Sequence, residues 1–167
     1  MELLAEGARL LGQRRAGEAA GKLEEAHQLL PDDVDVAINL GGAYIMQNRF
    51  MKAIPVLEGA SGQAPDNAMV WTNLAAAYLG RLELSGPKQQ QDAIDAYQRA
   101  LQADPETPNV HYNLALIYAD RKEWRRARAH FHRALEVDPN DRDARNWLKR
   151  LSRLEAEEVD DSQDRDE

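Results

Sequence analysis

Apolar residues along this chain return every three or four positions in short stretches, and each stretch ends in a polar cluster built on a proline. That spacing gathers the apolar positions on one face of a helix, so the pattern predicts amphipathic helices joined by turns. The prolines are Pro31, Pro65, Pro105 and Pro139, spaced 34, 40 and 34 residues apart. Five residues before each stands an alanine: Ala26, Ala60, Ala100 and Ala134. Three before that comes a large apolar residue (Leu23, Leu57, Tyr97, Phe131), and four earlier another alanine (Ala19, Ala53, Ala93, Ala127). Small residues on such a face let two helices cross closely, where a larger side chain would cost about 1–3 kcal/mol by overpacking. Proline cannot donate to the helix ladder, and the Asp or Asn beside it can cap the next helix. A 34-residue period of this kind marks a helix–turn–helix solenoid.

The helix before each of these repeats too. Leu40-Gly41 is followed by Tyr44, Leu74-Ala75 by Tyr78 and Leu114-Ala115 by Tyr118, with Trp71 three residues before Leu74. On these residues the chain, over about 1–153, resembles the tetratricopeptide repeat family, whose signature is a Trp-x-x-Leu-Gly-x-x-Tyr helix, then an Ala-x-x-x-Phe helix and a proline. The resemblance implies an all-α fold, a right-handed superhelical solenoid of antiparallel helix hairpins. The expected organisation is a single array over 1–154, with repeats at about 1–31, 32–65, 66–105 and 106–139 and a capping helix at 141–154. The cap carries an apolar stripe of Ala144, Trp147, Leu148, Leu151 and Leu154, with arginines and a lysine elsewhere on its surface.

Three departures stand out. The first repeat keeps Gly7 and Leu10 but has Leu3 in the tryptophan slot, as suits a terminal repeat with one side in water. The third holds six extra residues around Leu84-Ser85-Gly86-Pro87-Lys88, which predicts a lengthened first helix and then a loop broken at Gly86-Pro87. Pro55 falls inside the second helix of the second repeat, where it removes a hydrogen bond and predicts a kink.

Charge refines the picture. The net charge of -8 divides into an acidic body (1–120), a basic stretch (121–153) and an acidic end. After Leu154 the only large apolar residue is Val159, so 155–167 is expected to be an acidic disordered tail. The absence of cysteine excludes disulfides, thiol chemistry and cysteine-held zinc. No apolar run approaches the roughly 18 residues a membrane span needs, and no signal peptide is read at the start, so a cytoplasmic location is expected. His130 and His132 are two apart on a helix and diverge, and His27 and His111 show no partner in the sequence. No nucleophile–base pair, metal set or phosphate loop is found, which points away from an enzyme and requires no cofactor.

In the family that the chain resembles, the first helix of each hairpin lines a concave groove. That register places Asp35, Ile38, Gly42, Ile45 and Met46 in the groove from repeat two, Met69, Thr72, Ala76 and Leu79 from repeat three, and Asn109, Tyr112, Leu116 and Ala119 from repeat four. Several are apolar at positions that hairpin packing does not need, and Tyr112 is the one aromatic left without a packing role. No lysine or arginine stands among them, whereas Asp32, Asp33, Asp35, Asp66 and Glu106 gather at one rim. The expected ligand is a protein or peptide segment, extended or helical, apolar on one side and basic on the other. The expected function is a non-catalytic interaction module or scaffold. A self-assembling homo-oligomer is the alternative, and RNA binding through the basic end is a lesser one.

Overall fold

The structure, a computed structural model, describes residues 2–163, with side chains described through residue 154. Among the described residues there are no strands. The helices are α1 (Glu2–Gly12), α2 (Ala16–Leu29), α3 (Val34–Met46), α4 (Phe50–Gln63), α5 (Ala68–Leu79), α6 (Pro87–Ala103), α7 (Val110–Asp120), α8 (Trp124–Val137) and α9 (Arg142–Gln163). Consecutive helices pair into hairpins, α1 with α2 through α7 with α8, and α9 packs on α8. Although the repeat pattern runs as one array in sequence, the chain divides into two compact units, Met1–Thr107 and Pro108–Glu167.

Within the first unit the first helices α1, α3 and α5 pack in succession, and α2 and α4 each pack on the following first helix. The alanine–large–alanine triplets are fully or almost fully buried in all four hairpins. Gly7 and Gly41 show why the crossing is tight. A Cβ at Gly7 would lie 2.5 Å from Leu23 Cγ, and one at Gly41 2.6 Å from Leu57 Cγ. Adjacent repeats are then bolted by tyrosines: Tyr44 Oη donates to Glu24 at 2.7 Å and Tyr78 Oη to Glu58 at 2.6 Å. Burial, and then the Glu24 carboxylate, push the Tyr44 phenol up to about 12.

The polar clusters after the prolines cap as expected. Asp33 accepts from Val36 N at 3.0 Å, Asn67 from Met69 N and Val70 N at 3.0 and 3.3 Å, and Asp141 from Asp143 N and Ala144 N at 2.9 and 3.0 Å. In the fourth repeat Asn109 instead takes a left-handed conformation (φ 63°) with no side-chain cap. Inside three hairpins the first helix ends on a left-handed residue, Arg14, Asn48 or Lys122, with φ of 59°, 57° and 59°. The next amide donates back to Leu10, Tyr44 or Tyr118 at 3.0, 2.8 and 2.8 Å, closing a Schellman turn.

The structure corrects the expectation for the insertion. The first helix of repeat three is not lengthened; α5 stops at Leu79 because Gly80 adopts φ 62°, ψ -126°, a conformation closed to other residues. A single 3-10 turn (Leu82–Leu84) follows, and Gly86-Pro87 starts α6 rather than breaking a loop, with Pro87 in the first turn and the Gly86 amide donating to Gln89 Oε1 at 2.9 Å. Helix α4 runs unbroken through Pro55. Pro55 is exposed and so is Met51, so the carbonyl it leaves without a helical donor faces water. At the end of the chain the backbone stays helical to Gln163, past the tail boundary expected at 155. No glycine or proline follows Pro139, and Glu, Ala, Leu and Arg favour helix. The expected tail's last residues, 164–167, lie outside the described residues.

Candidate functional site

The outward side of α3 and α5, in the first unit, holds the residues that the repeat register selects. Asp35 is exposed, Gly42 and Ile45 are half-buried, and Met46 is 50% exposed. On α5, Met69 is 59% exposed, while Thr72, Ala76 and Leu79 are half-buried. Ile38 differs: it is only 8% exposed and packs among Ala37, Ala60 and Val70. Above Gly42 there is open space, since a Cβ built there meets no atom within 4 Å.

Polar groups on these two helices are engaged within the chain. Asn39 Nδ2 donates to the Asp35 carbonyl at 2.8 Å, and Asn73 Nδ2 reaches across to the Ile38 carbonyl at 3.3 Å, tying α5 to α3. Thr72 Oγ1 donates to the Ala68 carbonyl at 2.8 Å and Trp71 Nε1 to the Pro65 carbonyl at 2.7 Å. Neither helix carries a lysine or arginine, and Asp35 is the only charged residue in either. At the start of α3, Asp33 is committed to its cap and Asp32 accepts from Gln63 Nε2 at 3.0 Å; Asp66, before α5, is exposed. The arrangement presents apolar side chains and one small-residue opening beside an anionic rim.

In the second unit the register residues fall differently. Asn109 precedes α7 in its left-handed turn, Leu116 is half-buried and Ala119 is buried. Tyr112 has the packing role that the sequence did not reveal. Its ring meets Phe131 edge-on at 5.7 Å, and it lines an open cleft with Asp143, Asn146, Trp147 and Arg150 of α9. Phe131 also stacks on Trp147 at 5.7 Å, and the Arg150 guanidinium lies 4.8 Å over the Trp147 ring. Burial, with Asp143 second, raises the Tyr112 phenol.

A second pairing in this unit was invisible in the sequence. His111, which showed no partner there, faces His130 from α7 to α8, with Nδ1 to Nδ1 at 3.0 Å. One of the two nitrogens must carry the shared proton. His130 also stacks on Tyr118 at 5.4 Å, and Arg126 lies 5.5 Å over the Tyr118 ring. Burial lowers both imidazoles; for His130, with His111 and Arg133 adding to it, the value falls to about 4. The available signal was phase: His111 occupies the slot that the half-buried Trp71 fills one repeat earlier. Among the described residues no three His, Asp or Glu side chains converge as metal ligands, and no helix is long and apolar enough to cross a membrane.

Known proteins carry the same pattern. The peroxisomal targeting signal receptor of Eremothecium gossypii is 30% identical over 115 residues, 69% of this chain and 19% of that one. The chain thus spans about a fifth of that relative's length. Among solved structures, that of the APC/C hetero-tetramer Cut9–Hcn1 matches 90% of this chain and 29% of its own with a TM-score of 0.79 at 25% identity. A thermophilic TPR protein of Thermus thermophilus matches 90% of this chain and 79% of its own, with a TM-score of 0.78 at 20% identity. The tetratricopeptide repeat description itself matches residues 10–78 and 87–151, the greater part of the sequence, so with its four helix hairpins in phase this chain belongs to the tetratricopeptide repeat family.

Proposed function

We propose that this chain is a non-catalytic protein-interaction module that holds a segment of a partner protein against the outward side of its first helices. The observation that carries the reading is the exposure of Met46 and Met69, at 50% and 59%, on helices that also hold the open position at Gly42. Water favours polar residues where packing makes no demand, and flexible methionines are common on surfaces that bind apolar segments.

Affinity capture from the source cells tests it, with the native chain beside Thr72→Arg, which places a long cation on that side of α5. Arg125→Glu, on the exposed face of α8, is the control. Defined partners retained by the native chain and the control but lost from Thr72→Arg support the proposal. Partners retained equally by all three overturn it. A chain that captures only further copies of itself replaces it with self-assembly.

A further inference from the structure

The same surface constrains the shape of what it binds, and the inference that follows rests on the reading just given. An extended segment carries an amide and a carbonyl at every residue, about 3.3 Å apart, and each must find a partner when covered. Donors are scarce on α3 and α5, where one further N–H on each of Asn39 and Asn73 is what remains for a ladder of that spacing. Every uncharged side chain on α3 and α5 with an N–H or O–H already donates inside the chain: Asn39 and Thr72 to their own helices, Asn73 across to α3, Trp71 to Pro65, and Tyr44 and Tyr78 to glutamates. A helical segment satisfies its backbone internally and asks only for apolar contact.

The rest of the surface suits a helix. Gly42, with open space above it, and Ala76, one repeat period later, form a low floor on which a second helix can approach closely. Met46 and Met69, both exposed, can adapt to whichever apolar side chains arrive. The charge is one-sided, with Asp35 as the only charged residue in the two helices and Asp32 and Asp66 exposed at their starts. We infer that the outward side of α3 and α5 receives an amphipathic, cationic helix from a partner protein. Its apolar stripe lies over Gly42 and Ala76, and its lysines or arginines meet the aspartate rim.

Two synthetic peptides of about 16 residues and identical Leu, Ala and Lys composition test this. One has leucines at helical spacing and the other strictly alternating. Titration calorimetry and circular dichroism are run on the full chain, on Thr72→Arg, on Gly42→Leu and on Asp35→Lys. The helical-pattern peptide should bind with a gain in helix signal. It should lose about 10-fold or more in affinity on Thr72→Arg and Gly42→Leu. It should weaken several-fold on Asp35→Lys, and likewise as NaCl rises from about 0.05 to 0.5 M. Preference for the alternating peptide, abolished by the same variants, overturns the helix while leaving the surface as the site. Binding that ignores Thr72→Arg and Gly42→Leu overturns both. If neither peptide binds, the inference fails, and the capture experiment decides separately whether the surface holds a partner.

Discussion

Two adjacent glycines show how far a residue's role depends on what lies across from it. Gly41 and Gly42 share a helix turn, yet a methyl group on Gly41 would drive into Leu57 while one on Gly42 would meet nothing within 4 Å. Replacing Gly41 with Ala should therefore destabilise the chain, because overpacking of about 1–3 kcal/mol exceeds the roughly 1 kcal/mol that alanine gains over glycine in a helix. Gly42→Ala keeps only the gain and should raise the melting temperature, so thermal melts of the two variants should shift in opposite directions. At the histidine pair the relevant variable is pH. His130 titrates near 4 in the folded chain against 6.5 when unperturbed. Below pH 6.5 the unfolded chain binds protons that the folded pair refuses, so this contribution to stability falls as pH drops from 6.5 towards 4. In melts at pH 7, 6, 5 and 4, the native chain should lose more stability than His130→Phe, which keeps a ring against Tyr118. Parallel curves would show that the pair does not couple to folding.

At the scale of elements, ends and turns carry the differences between repeats. Three hairpins turn on a left-handed residue with a side chain, and Lys122 and Arg14 lack the short polar group that eases Asn48 into that region. Lys122→Gly should stabilise the chain by about 0.5–1 kcal/mol, less the extra freedom that glycine gives the unfolded chain. The check is the urea midpoint, which should rise with an unchanged slope. In repeat three the turn is replaced by Gly80, a 3-10 turn and an α6 opened by Pro87. The six-residue insertion is therefore shared between the connection and the start of α6, which has 17 residues where α2, α4 and α8 have 14. Helix α9 packs on α8 and buries Ala144 and Leu151 completely, while its arginines and lysine remain exposed. That division gives the helix one packed face and one in water.

Across the whole molecule, stability in a repeat protein depends on how firmly each unit holds the next. The Tyr44–Glu24 and Tyr78–Glu58 bonds are the directional part of that coupling in the first unit. A Tyr44→Phe/Tyr78→Phe double variant keeps the apolar rings and removes both bonds, which should cost about 1–3 kcal/mol for two hydrogen bonds to charged acceptors, discounted for their partial exposure. Its unfolding should also broaden, since the repeats are then less coupled. Calorimetry would detect this as a van't Hoff enthalpy falling below the calorimetric one.

The sequence alone determined the architecture, and the reason is periodicity. Ala19-Leu23-Ala26 and its three copies specify helix faces, the prolines and adjacent Asp or Asn specify ends, and both are local properties of the chain. They do not depend on anything distant. The register of the candidate surface came instead from the resemblance to the family, which is what selected Gly42, Ile45, Met46, Met69 and Thr72 as expected positions. What only the tertiary structure decided is which groups meet across helices. Ile38 stands in the selected register yet is buried against Val70 and Ala60. Tyr112 proved to be packed on Phe131, His111 found His130 at 3.0 Å, and Asn73 reached across to the Ile38 carbonyl of α3. Each outcome depends on crossing angle and rotamer, which no spacing along one chain encodes. The end of α5 was likewise decided in the tertiary structure, where a glycine's left-handed φ outweighed the cue from repeat length.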